Sequence, residues 1–97
     1  MMRSIVVNSV HGGYGLSKAC IDAYNAECGT HFEHEWEIRR DDPVLVSIVE
    51  RMGSRANGPY ADLVILRIPE DVAWEICDYD GKEWVVNCTP ITRHMLA

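Results

Sequence analysis

The run Ser4-Ile5-Val6-Val7-Asn8-Ser9-Val10-His11-Gly12-Gly13-Tyr14-Gly15-Leu16-Ser17-Lys18 frames the whole chain. Ile5-Val6-Val7 is apolar on consecutive positions, which suits a central strand covered on both faces, so a strand is expected over Arg3 to Ser9. Gly12, Gly13 and Gly15 then give a backbone that turns sharply and lets another group come close. Ser17 is placed to cap a helix over residues 18–28, whose free N–H groups would point back at the loop. A strand, a glycine loop and a capped helix start make a candidate site for an anion or for a close partner contact.

Moving outward, Leu16 and Ile21 have the spacing of a hydrophobic staple across Ser17. Ile21, Tyr24 and Cys28 recur at helical spacing, and Gly29 stands where a helix ends. Thr30 to Arg39 alternates: Phe32, His34, Trp36 and Ile38 point one way, and Glu33, Glu35 and Glu37 the other. Period two predicts a strand with one solvated face, and the glutamate row would discourage edge-to-edge pairing. Asp42 followed by Pro43 predicts a second helix start, with Leu45, Ile48, Val49 and Met52 on one face. Asn57-Gly58-Pro59 is turn chemistry. Ala61 to Ile68 reads as a buried strand, ended by Pro69.

Val72 to Tyr79 and Lys82 to Cys88 read as a hairpin around Asp80-Gly81. A two-residue turn would set Asp78 opposite Glu83, two like charges. A three-residue turn sets Asp78 opposite Lys82 and Ile76 opposite Trp84, which cross-strand electrostatics favours. Trp74, Ile76, Trp84 and Val86 then share a face under the helices, and Trp36, Trp74 and Trp84 are read as core residues. The predicted fold is α+β: a single small two-layer domain over residues 1–97, in the order β-α-β-α-β-β-β. Two helices lie on one face of a mixed or mainly antiparallel sheet. Residues 89–97 lack a clear period and are expected to be a mobile tail or an arm onto a partner.

At 97 residues, the length fits one domain. Nine Lys and Arg against fifteen Asp and Glu give a formal charge of −6, which argues against direct nucleic-acid binding and would favour a basic partner surface. There is no apolar run of about 18 residues or more, so no membrane contact through a span is expected. The start, Met1-Met2-Arg3-Ser4, lacks the apolar segment of a signal peptide, and a cytoplasmic location is expected. Cys20, Cys28, Cys77 and Cys88 form no C-x-x-C pair and read as reduced thiols.

The glycine loop does not match G-x-G-x-x-G, nor does it carry the lysine of a phosphate P-loop. His11 beside Gly12-Gly13 resembles an oxyanion loop, but the chain has no G-x-S-x-G nucleophile elbow, so no catalytic residue is assigned. Cys28, His31 and His34 match no strong zinc spacing; neither a metal nor a cofactor is expected. An acidic row on an exposed strand offers no pocket to raise a carboxyl pKa, so Glu33, Glu35 and Glu37 read as an acidic partner face rather than an acid–base pair. Asn8, His11, Gly12, Gly13, Tyr14, Gly15 and Ser17 are the candidate ligand- or partner-binding residues.

Ile5 to Ser9 and Gly12 to Ser17, with Arg40 to Val46, Ala56-Asn57-Gly58, Ala61-Asp62-Leu63, Ile68 to Val72 and Tyr79 to Trp84, resemble a family of small, mostly uncharacterised bacteriophage proteins. That family pairs a strand ending in Asn with a Gly-Gly-aromatic-Gly-Leu-Ser loop. The resemblance spans most of the chain and departs after Val86. It implies a phage accessory protein made in the host cytoplasm, and a specific role, structural or functional, for Asn8, Gly12, Gly13, Gly15 and Ser17. The leading expectation is a non-enzymatic protein that binds and modulates a host or phage protein, as a defence inhibitor would. One alternative is a protein that binds or sequesters a small anionic ligand or nucleotide through Gly12 to Ser17. The other is an enzyme using the same loop. An unpaired edge strand also makes a homodimer an open expectation.

Overall fold

The computed structural model describes residues 2–88; the tail expected over residues 89–97 lies outside the described residues. The fold is α+β. Its elements are β1 (Met2–Asn8), α1 (Lys18–Cys28), a 3-10 turn at Glu35–Glu37, α2 (Pro43–Met52), a second 3-10 turn at Gly53–Ala56, β2 (Leu63–Pro69), β3 (Ala73–Tyr79) and β4 (Lys82–Cys88).

Both helix starts form as their caps dictate. Ser17 Oγ accepts from the Cys20 N–H at 3.1 Å, and Gly29 ends α1 in the left-handed region at φ +67°. Asp42 Oδ1 accepts from the Val44 and Leu45 N–H groups at 2.8 and 3.4 Å, with Pro43 in the first turn, where its missing N–H is not needed. Leu45, Ile48 and Val49 of α2 meet Cys20, Ile21 and Tyr24 of α1 in one buried cluster.

β1 pairs with β2 in antiparallel register, Ile5 opposite Leu66, Val6 opposite Ile65 and Val7 opposite Val64. Strand alternation sends Val6 and Ile65 into the helix cluster. It sends Ile5, Val7, Val64, Leu66 and Ile68 the other way, onto Trp74, Ile76 and Val85 of the β3–β4 hairpin. The β1–β2 ladder is therefore covered on both sides, which is why its strands are unbroken apolar runs. The strands form two separate antiparallel pairs, β1–β2 and β3–β4, rather than one sheet, and the hairpin covers the face opposite the helices.

The strand expected over Thr30 to Arg39 is not formed; the segment is irregular around the 3-10 turn. Its backbone bonds locally. Asn25 Nδ2 donates to Phe32 O at 2.9 Å and Asn25 Oδ1 accepts from Phe32 N at 3.0 Å, while Glu37 Oε2 accepts from Glu33 N at 2.9 Å. Phe32 and Ile38 still pack inward, but the turn between them throws Trp36 into solvent. Alternation in sequence arose without a strand because local side chains outcompeted ladder partners.

The hairpin takes the two-residue turn. Asp80 and Gly81 both have positive φ, +52° and +89°, and Asp78 stands opposite Glu83 and Ile76 opposite Val85. The like-charge pair is tolerated because Glu83 is neutralised elsewhere: Arg40 Nη1 and Nη2 donate to its two oxygens at 2.7 and 2.8 Å. This register puts Trp84 and Val86 on the outer face, both exposed, and leaves Trp74, Ile76 and Val85 inside. Of the three tryptophans, only Trp74 packs in the core. Among the described residues no helix is long and apolar enough to cross a membrane.

Candidate functional site

The glycine loop is the place where four distant segments meet. Asn8, at the end of β1, is fully buried and uses its whole amide. Its Nδ2 donates to Val10 O and, at 2.7 Å, to Gly81 O in the hairpin turn; its Oδ1 accepts from Asp62 N at 2.9 Å and from Val10 N at 3.4 Å. One side chain thus ties β1 to the loop, to the start of β2 and to the hairpin. The Asn8 N–H donates to Glu83 Oε1 at 2.9 Å, and Val6 N–H to Arg40 O at 2.9 Å. Arg40 and Glu83 together close the free edge of β1.

The glycines follow from close approach. Gly12 has φ +127°, and a Cβ there would stand 2.6 Å from Tyr60 O. Gly12 N–H donates to Asp80 O at 3.1 Å. Gly81 packs so tightly on the Gly12 and Gly13 backbone that a Cβ would overlap the Gly13 nitrogen. Gly13, at φ +113°, faces open space. Gly15 O accepts from Gly58 N at 2.9 Å, and a Cβ on Gly58 would stand 2.8 Å from the Gly15 carbonyl carbon. Ser17 N–H donates to Ala56 O at 2.8 Å and Ser17 Oγ to Arg55 O at 2.6 Å.

Tyr14 folds back rather than outward. Its ring lies under the Arg40 guanidinium, 3.4 Å from carbon to ring centroid, and packs against the helix cluster. Its hydroxyl is buried without a hydrogen-bond partner, and that burial pushes its pKa far up, against the opposing pull of Arg40. Beside it, burial pushes the Cys20 thiol up to about 11, so this thiol is an inert packing group. His11 remains at the surface, its Nδ1 3.2 Å from Tyr79 O and its ring edge-on to Tyr79 at 6.2 Å.

Around this hub the surface is aromatic. Tyr60 follows Pro59 in a turn closed by Ala61 N–H to Gly58 O at 3.2 Å, and Tyr79 precedes the hairpin turn. Both are 72% exposed, as is Trp36. Trp36 stacks flat on His34 at 4.2 Å. The loop reaches this segment directly, since Glu35 Oε1 lies 3.4 Å from where a Gly15 Cβ would be.

Of the predicted acidic face, Glu33 is exposed and Glu35 half-buried. Glu37 turns back on its own segment, accepting from Glu33 and His34 N–H groups at 2.9 and 3.3 Å, and these donors hold its carboxyl below the usual range. A groove of about 530 Å³ opens between α1 and this segment, lined by Leu16, Ile21 and Phe32 below and Lys18, Asp22, Glu33, His34 and Glu35 around. Cys28, His31 and His34 do not converge: among the described residues no group of three or more His, Cys, Asp and Glu is placed to hold a metal.

Sequence reading missed Arg40, Glu83 and Tyr60. Arg40 and Glu83 lie 43 positions apart, and no local pattern links them. Tyr60 had a signal, an aromatic just after Asn57-Gly58-Pro59, that turn chemistry alone did not weigh. Comparison of the chain with protein-family models, with curated proteins and with solved structures finds no match.

Proposed function

We propose that this chain is a non-enzymatic binding protein, a bacteriophage accessory protein acting in the host cytoplasm, that docks on a host or phage protein and modulates it. The observation that carries this reading is the display of Trp36, Tyr60 and Tyr79, each 72% exposed, with Tyr60 and Tyr79 on turns packed against the glycine hub and Trp36 on the 3-10 turn beside it. Large aromatics held rigidly at a surface are typical anchors of protein interfaces, because they bury much area at little cost in conformational entropy. Leaving them in water-facing positions does little for the isolated fold. The charge of −6 supports a partner with a basic face.

The loop itself supports an anion less well. Gly12 and Ser17 N–H groups are already donated to Asp80 O and Ala56 O, and the carboxylate of Glu35 stands beside Gly15. An arriving phosphate would find those two donors taken and a carboxylate beside the loop.

The test is capture from infected and uninfected host lysate with wild type, Trp36→Ala and Tyr60→Ala. A protein held stoichiometrically by wild type and lost by the two folded variants supports the reading. Equal capture by all three, or none by wild type, removes it.

A further inference from the structure

The groove between α1 and the 32–35 segment is one of two grooves of similar size among the described residues, and it is the one beside the exposed His34–Trp36 stack. The second groove, about 540 Å³ beside the start of β1, carries Arg3, Arg39, Asp41 and Asp42 among its lining residues. There both cations face an acid: Arg39 Nε lies 3.0 Å from Asp41 and Arg3 Nε 3.9 Å from it. Asp42 receives the Tyr24 hydroxyl at 2.7 Å and the α2 amides, and Glu50 and Glu70 complete the lining without an ion pair among the described residues. In the α1 groove Lys18 is matched to Asp22 at 3.0 Å, one turn on. Among the described residues, Glu33 and Glu35 have no cation against them.

The floor beneath them is apolar, from Leu16, Ile21 and Phe32. Its shape is fixed before any partner arrives. Asn25 holds Phe32 through both amide atoms, the Phe32 ring stacks on Tyr24 at 6.0 Å, and Glu37 holds the Glu33 and His34 amides. The groove therefore combines an apolar floor, two unmatched carboxylates on the rim and the exposed His34–Trp36 stack next to it.

We infer that this groove is the docking site for a basic segment of the protein partner. An arginine of that segment sits between Glu33 and Glu35, and a neighbouring apolar side chain lies on Leu16, Ile21 and Phe32. The inference rests on the binding role proposed above and adds the chemistry of what is bound. Charge complementarity selects the occupant: an acidic or neutral segment would desolvate Glu33 and Glu35 with nothing in return, whereas a guanidinium donates to both carboxylates.

The experiment is an amide chemical-shift titration of the full chain with the blocked tripeptide Leu-Arg-Leu, beside Leu-Gln-Leu and Leu-Glu-Leu. The arginine peptide is expected to move the amides of residues 16–22 and 32–36, with binding that weakens as salt rises. The double variant Glu33→Gln/Glu35→Gln, with a dispersed spectrum showing that it is folded, should bind it about tenfold more weakly. Equal binding of the glutamine peptide, shifts confined to other residues, or no shifts at millimolar peptide would overturn the inference. The same double variant separates the two proposals in lysate. If it captures the partner as wild type does while Trp36→Ala does not, the binding role stands and this groove is not where the partner docks. If the peptide binds as expected but no lysate protein is captured, the groove stands and the broader role falls.

Discussion

Residues 8–17 and residues 31–37 are both irregular, both polar and both flank the same helix, yet they use their polar groups in opposite ways. In the first, Asn8 is fully buried and its amide makes four hydrogen bonds, two to Val10 within the loop and one each to Gly81 and Asp62 in two distant segments. In the second, the bonds made by Asn25 and Glu37 stay within α1 and the segment itself, and Glu33, His34 and Trp36 are left facing out. A motif unusual in sequence can be unusual because the fold needs it. A segment ordinary in sequence can be the one that is displayed. The glycine loop is a fastening between distant segments, and the acidic aromatic segment beside it is a displayed surface held by Asn25 and Glu37.

The sharpest way to break this contrast is Asn8→Ala. Removal of the amide leaves a gap where the fully buried Asn8 stood and takes the partner from Gly81 O, Val10 O and Asp62 N in a part-buried site. Unpaired buried groups cost about 1–3 kcal/mol each, partly relieved by relaxation, so a loss of about 4 kcal/mol is expected from urea unfolding. For a domain of this size that is a large share of its stability. A loss under about 1 kcal/mol would mean that the hub is not a fastening at all.

Gly81→Ala comes next. The variant combines a left-handed backbone at φ +89° with overlap on the Gly13 backbone, and the expected loss is about 3 kcal/mol. Thermal unfolding measures it. Gly13→Ala is the control: φ is also positive at +113°, but nothing lies within 4 Å, so only the backbone strain remains and the loss should be smaller. Equal losses would show that the close approach of hairpin and loop contributes nothing.

The sequence carried the parts of this fold that depend on neighbours. Ser17, Asp42-Pro43 and Gly29 announced both helices, and the unbroken runs Ile5-Val6-Val7 and Leu63 to Leu66 announced strands covered on both faces. It failed where a distant residue decided a local choice. Asp80-Gly81 is a two-residue turn signal on its own terms. The charge argument that displaced it lacked Arg40, which neutralises Glu83 and with it the objection to setting Asp78 opposite. Thr30 to Arg39 alternated convincingly, but Asn25 and Glu37 supplied the hydrogen bonds a neighbouring strand would have given. The candidate site was half legible for the same reason. That Asn8 and the glycines matter was visible, whereas their role as fastenings depends on Tyr60, Asp62 and Gly81, which only the fold brings to them.

A smaller effect is expected from acid. Because the Glu33 and His34 amides hold the Glu37 carboxyl below its ordinary range, that hold is complete above the usual glutamate pKa and is lost as pH falls through the lowered value. Hydrogen-exchange protection of the Glu33 and His34 amides should fall over that window, while global stability hardly follows this group. Glu37→Gln should abolish the pH dependence. Amides that stay protected through the window would mean that something other than Glu37 shapes the segment.

The smallest effect on folding, and the one most telling for function, is expected of Trp36→Ala. A tryptophan removed from a core typically costs about 3–5 kcal/mol. Trp36 is 72% exposed, and its contact is the flat stack on His34, so the change should lie within about 0.5 kcal/mol by urea unfolding. Val6→Ala gives the scale, since its side chain is fully buried between β2 and the helices. If Trp36→Ala destabilised the protein as a core truncation does, the 31–37 segment would be a second fastening and the contrast with the glycine loop would disappear. If stability is unchanged and partner capture is lost, the same side chain that is idle in folding is the one that binds, which is the property that distinguishes a displayed anchor from a core residue.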